Sequence, residues 1–240
     1  GLGAGMDPAL GKQAAEENKN EISELVRGVD MVFITGGFGG GTGTGAGPVV
    51  AEVARSEGAL TIAVVTRPFA FEGSERARIA DEGLQRLRES VDAMVVIPND
   101  RLLNIIEKKT TFLEAFAMCD EILRQGVQGI SDLITLPGII NVDFADIRSI
   151  LKNAGTALMG IGRASGEERA AAAAKAAINS PLLDVSIDGA HGVLFSIAGG
   201  DDLTMWEVNE AAKIITEHIA KDAKVIFGAV KDDRLRKGEI

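Results

Sequence analysis

From its amino end the chain opens with a polar segment in which Asp7-Pro8 has the form of an N-cap and first helical residue, predicting one amphipathic helix to about residue 27. Apolar runs and helical spacings then alternate. Strands are predicted at 31–35, 60–66 and 93–98, separated by helices at 46–57 and 74–90. Continuous apolar strands alternating with helices are the pattern of a parallel sheet covered on both faces. A longer helix is predicted at 111–134, where Phe112, Leu113, Phe116, Ile122, Leu123, Val127 and Ile130 form one apolar stripe. The second half reads as helix 144–152, strand 156–162, helix 167–179, strand 192–198, helix 203–220 and strand 224–230. The predicted fold is therefore α/β, with a partial Rossmann-like parallel sheet over 1–110, a central connecting helix over 111–134, and a second, smaller α/β domain over 135–240. The alanine run at 170–177 needs no functional explanation, since alanine is the best helix former.

Composition narrows the partners. The 240 residues are 46% hydrophobic, enough for one large core or two modest ones. A net charge of −10 argues against a nucleic-acid footprint and against adhesion to anionic lipid, both of which favour basic patches. Cys119 is the only cysteine, so no internal disulfide or thiolate cluster is possible, and its apolar helical setting reads as a small buried thiol. His191 and His218 are too few for a histidine-based zinc site. No stretch has the apolar length of a membrane span and no basic segment leads an apolar run, which predicts a cytoplasmic protein with no membrane insertion.

The chemistry starts at Gly39-Gly40-Gly41-Thr42-Gly43-Thr44-Gly45, between the first apolar strand and the helix predicted to open around Ala46-Gly47-Pro48. Glycines let main-chain amides approach a ligand closely, and a helix start adds its positive end, so the run is a candidate phosphate cradle with two hydroxyls in Thr42 and Thr44. A plainer alternative is a tight turn that lets strand and helix pack. No Gly-Lys-Ser/Thr follows, so this is not a Walker A loop.

The run resembles the tubulin signature GGGTGTG, and the resemblance to the tubulin/FtsZ GTPase family extends nearly end to end. It continues at Gly1-Leu2-Gly3-Ala4-Gly5, at Val65-Thr66-Arg67-Pro68-Phe69-Ala70-Phe71-Glu72-Gly73, at Ile97-Pro98-Asn99-Asp100 and at Asn141-Val142-Asp143-Phe144-Ala145-Asp146. It implies that Ala4, Gly5, Gly40, Gly41, Thr42, Gly43 and Thr44 surround the phosphates of GTP or GDP, with Mg²⁺ carried on those phosphates and no metal site of the protein's own. It also implies that Glu72 and Arg76 hold the ribose, that Phe116 stacks on guanine and that Asp120 accepts from its ring N–H and amine. Spacing alone leaves alternatives: Glu72 and Arg76 as a surface i,i+4 ion pair, Phe116 in the core with Asp120 solvated, and Asp143 as the N-cap of the helix near Phe144.

A rise of ~1.5 Å per residue along the central helix should separate Asp120 from Asp143 by roughly 20 Å or more, which would leave the carboxylates of the acidic turn far from their own subunit's cradle. Carboxylates that cannot reach their own ligand can serve a neighbour's when subunits stack head to tail, a contact that generates open filaments. The resemblance implies this arrangement, with Asp143 and Asp146 polarising the attacking water, Asn141 ordering the loop, and filaments forming a cytokinetic ring at the division site with other division proteins. It also implies upstream strands, an earlier glycine loop and a final strand, whose lack here reads as a fragment, weak or inactive alone. Two rivals follow: an NAD(P)-dependent oxidoreductase, because Gly41-x-Gly43-x-x-Ala46 fits a dinucleotide fingerprint, and a non-catalytic fragment that caps filaments.

Overall fold

A computed structural model describes residues 3–103, 106, 109–136, 138–183, 186–232 and 234–240. Gly1 and Leu2 of the first glycine pattern, and Pro137 before the acidic turn, lie outside the described residues. The chain divides into two compact units, Gly1–Val127 with Leu151–Ala157, and Gln128–Ile150 with Leu158–Ile240.

The first unit is built on a four-stranded parallel sheet, in order β1 (Met31–Gly37), β2 (Leu60–Arg67), β3 (Ala93–Pro98) and β4 (Gly155–Ala157). Seven of the eight residues of β2 are buried, as expected of a strand covered on both faces. The helices are α1 (Pro8–Glu17), α2 (Lys19–Val26), α3 (Thr42–Ser56), α4 (Ser74–Ser90) and α5 (Asn99–Leu102), with a 3-10 turn at Ala70–Glu72. Leu84 and Leu87 of α4 join Phe38, Val65, Val91 and Met94 in the buried core. The longest helix, α6 (Phe112–Thr135), contributes residues to both units.

Three sequence expectations are corrected. The helix predicted from Pro8 to about residue 27 is two helices, because Asn18 leaves helical geometry and turns its Nδ2 back onto the Ala14 carbonyl. The helix predicted at 46–57 begins four residues earlier, at Thr42, so Pro48 is interior to α3 and not its first residue. The strand predicted at 156–162 in the second domain is only Gly155–Ala157, and it joins the first sheet beside β3. A buried carboxylate explains that placement. Asp92, 4% exposed, accepts from Thr61 N at 2.9 Å and Asn153 N at 3.4 Å, while its carbonyl takes Gly155 N at 2.9 Å. The segment beyond cannot continue as ladder, because it presses on a helix of the second unit, α8 (Arg169–Ile178). A Cβ at Gly160 would lie 2.0 Å from Ala177 O, and one at Gly162 1.8 Å from Ala173 O.

The second unit also contains α7 (Phe144–Leu151), whose last residue clusters with the first unit, β5 (Gly192–Gly199), α9 (Met205–Thr216) and β6 (Lys224–Lys231). Strands β5 and β6 pair in parallel. Ala170, Ala173 and Ala174 of α8 pack with Ile197, Val208, Ala211 and Ile215, so small side chains let α8 and α9 approach closely. Arg169, 5% exposed, is held by Glu207 at 2.6 Å and Asp202 at 2.8 Å.

Candidate nucleotide site

The glycine run lies where the carboxyl end of β1 meets α3, the crevice position at which open α/β sheets take ligands. Close approach explains its glycines. A Cβ at Gly41 would lie 2.6 Å from the Ala4 Cβ and 2.8 Å from Asp7 O, so only glycine lets the turn at Ala4 seat on the loop. That turn is closed by Asp7 N donating to Ala4 O at 2.9 Å and passes through Gly5 and Met6, both at positive φ. Helices α1 and α3 likewise touch through glycine, since a Cβ at Gly45 would meet Pro8 O at 2.0 Å. The N-cap of α3 is Gly41, which brings no capping side chain, and Thr42 at its first position is exposed. Uncapped first-turn amides beside an exposed hydroxyl form an anion-accepting surface.

Thr44 departs from its expected place. It is fully buried, its Oγ1 accepts from Gly39 N at 2.9 Å, and its methyl group faces Gly83 of α4, where a Cβ would come within 2.1 Å. Its hydroxyl therefore pins the loop from inside, while Gly40, Gly43 and Thr42 retain solvent contact.

Glu72 and Arg76 are brought together, with Arg76 Nη1 2.5 Å from Glu72 Oε2. Glu72 Oε1 also accepts from Phe69 N at 2.9 Å, so this carboxylate closes the 3-10 turn from which it projects. Four phenylalanines pack nearby: Phe69 stacks on Phe71 with ring centres 4.9 Å apart and meets Phe116 edge-on at 5.4 Å, while Phe112 lies 4.8 Å from Phe116. Phe116 is half-buried and Asp120, one turn on, is exposed. Cys119 between them is buried, and desolvation pushes its thiol pKa up to about 11, which leaves it protonated and inert at neutral pH. Arg67, the cation available to a dinucleotide 2′-phosphate, is paired with Asp81 at 2.6 Å.

One polar group of this end of the sheet had no assigned role in the sequence. Asn99 follows β3 directly, is 5% exposed, and its Oδ1 has no hydrogen-bond partner among the described residues. A buried unpartnered amide oxygen is uncommon, and a polar residue one step past an apolar strand was the signal that could have found it.

The acidic residues belong to the second unit. Asn141 Oδ1 accepts from Gly138 N at 2.7 Å and so orders the turn. Asp143 caps α7, accepting from Ala145 N at 2.9 Å, and remains exposed, as does Asp146 in the first turn of that helix. Among the described residues no group of three or more His, Cys, Asp or Glu is placed to hold a metal, and no helix is long and apolar enough to cross a membrane.

Residues 1–107 match the family described as "Tubulin/FtsZ family, GTPase domain", and residues 155–240 the one described as "FtsZ family, C-terminal domain". An FtsZ dimer of M. jannaschii is 47% identical over the whole of this chain and 69% of its own length, with a TM-score of 0.95. The chain belongs to the tubulin/FtsZ family. A mutant of the same relative agrees at 46% identity over 71% of its length, again with a TM-score of 0.95. CetZ1 of Haloferax volcanii, a GDP-bound monomer, shares the fold at 24% identity with a TM-score of 0.73, over all of this chain and 72% of its own. Family membership assigns the glycine run to the tubulin/FtsZ type and sets the dinucleotide-oxidoreductase reading aside.

Proposed function

We propose that the protein carrying this chain binds and hydrolyses GTP and polymerises, with each active site completed by the next subunit in a head-to-tail row. The observation that carries the reading is the start of α3, where uncapped amides and exposed Thr42 form an anion cradle seated on the Ala4 turn. Ala4, Gly5, Gly40, Gly41, Thr42 and Gly43 receive the phosphates, and Thr44 fixes the loop. Glu72 and Arg76 take the ribose, Phe116 the base face and Asp120 the base edge. Mg²⁺, carried on those phosphates, would supply charge neutralisation there; the chain contributes positioning.

Asp143 and Asp146 are the proposed catalytic pair, holding the attacking water of a neighbouring subunit's nucleotide, with Asn141 ordering their turn. Their exposure and their membership of the other compact unit support a role toward a second copy, as does the dimer described for the M. jannaschii relative. Such filaments would form the cytokinetic ring in the cytoplasm at the division site, with other division proteins as partners. The domain reading accompanying this function keeps a GTP-binding part over 1–110, a connecting helix over 111–134 and an acidic-loop part over 135–240.

The test is Asp143→Ala and, separately, Asp146→Ala in the full-length protein. GTP turnover is expected to fall by about tenfold or more while the dissociation constant for GTP stays within about twofold. Unchanged turnover in either variant removes that residue from the mechanism.

A further inference from the structure

The turn that presents Glu72 is fastened to a residue outside the set already assigned. Asp100, second residue of α5, does not cap its own short helix; its Oδ1 accepts from Ala70 N, thirty residues away, at 2.9 Å. Ala70 opens the 3-10 turn that Glu72 closes from the other side by accepting from Phe69 N. The same turn carries Phe69 and Phe71, the rings that pack on Phe116 and Phe112. One carboxylate at the end of β3 thus fixes a segment bearing the ribose-side carboxylate and the rings behind the base-side phenylalanine.

We infer that Asp100 is a positioning residue for nucleoside recognition: through Ala70 N it sets the register of the 69–72 turn, and so where the Glu72–Arg76 pair meets the ribose hydroxyls. The inference rests on the proposal that Glu72 and Arg76 hold the ribose. A hydrogen bond between exposed groups adds little to stability, so its consequence is geometric and appears in selectivity.

Binding of GTP and of 2′,3′-dideoxy-GTP, which lacks the hydroxyls the pair would contact, separates the two ideas. In the full-length protein the ratio of the two dissociation constants is expected to be on the order of tenfold, from hydrogen bonds to charged partners. Asp100→Ala is expected to narrow that ratio by about threefold or more, whereas Asp100→Asn, whose amide oxygen still accepts from Ala70 N, retains it. In a double-mutant cycle, Asp100→Ala added to Glu72→Ala causes no further narrowing. A wild-type ratio of one overturns the ribose reading and this inference with it. Wild-type discrimination that survives in Asp100→Ala, or is lost equally in Asp100→Asn, overturns the inference alone.

Discussion

The two units solve the same packing problem with different materials. In the first, a central strand buried on both faces lies among Leu, Val and Met side chains, and buried Asp92 and Thr44 are tied to backbone amides. In the second, β5 and β6 form a two-stranded sheet among the described residues, the close helix contact is made by alanines, and a buried arginine with two carboxylates joins α8 to the capping box of α9. The nonpolar core draws on water exclusion, which changes little with pH. The ionic one depends on carboxylates remaining charged. The first unit's core therefore rests mainly on apolar contacts, while the second depends in part on electrostatics.

The largest effect is expected at Leu87, fully buried on α4. Leu87→Ala is expected to cost about 3 kcal/mol through lost burial and a cavity, and hydrogen exchange resolved by peptide should place the loss in the first unit. Equal loss of protection in both units would mean that they unfold as one.

Next comes Arg169→Met, expected to cost about 2 kcal/mol in the second unit, less than for a wholly buried pair because Asp202 reaches solvent. Glu207 makes this effect dependent on pH. Its hydrogen bond to Arg169 holds its pKa down to about 2, below the ordinary 4.5, so its stabilising contribution is present above pH 4.5 and lost as pH falls toward about 2. Acid titration followed by hydrogen exchange should open α8 and α9 first, and Arg169→Met should flatten that dependence.

The smallest expected effect is Ala174→Gly in the interior of α8, about 1 kcal/mol from backbone freedom and a lost methyl contact, read as a lower midpoint of urea unfolding. A neutral result would show that the alanine contact is looser than its burial implies.

Much of this molecule was legible from neighbours in the chain. The period of apolar residues located every strand from β1 to β3 and the helix α4, and Asp7-Pro8 marked the start of α1, because these signals act within one or two turns. The glycine signature was equally readable as a run of residue types, whereas the partners that require glycine there, Ala4, Asp7 and Pro8, are supplied by packing. Helix starts were less so. The opening turn of α3 is made of glycine and threonine, poor helix formers held there by packing against α1, so its local sequence has the character of a loop.

What the sequence determined alone, then, was the alternation of elements and the family to which its glycine signature belongs, both encoded in residue type and short spacing. Only tertiary structure decided that Thr44 faces inward, that residues 155–157 complete the first sheet, and that Asp100 is joined to Ala70. Each of these rests on partners brought together by packing across the sheet, such as Thr44 against Gly83 or Asp92 against Asn153. A hydrogen-bonding group chooses among many chemically equivalent partners, and that choice is made by which of them the packed backbone places within about 3 Å.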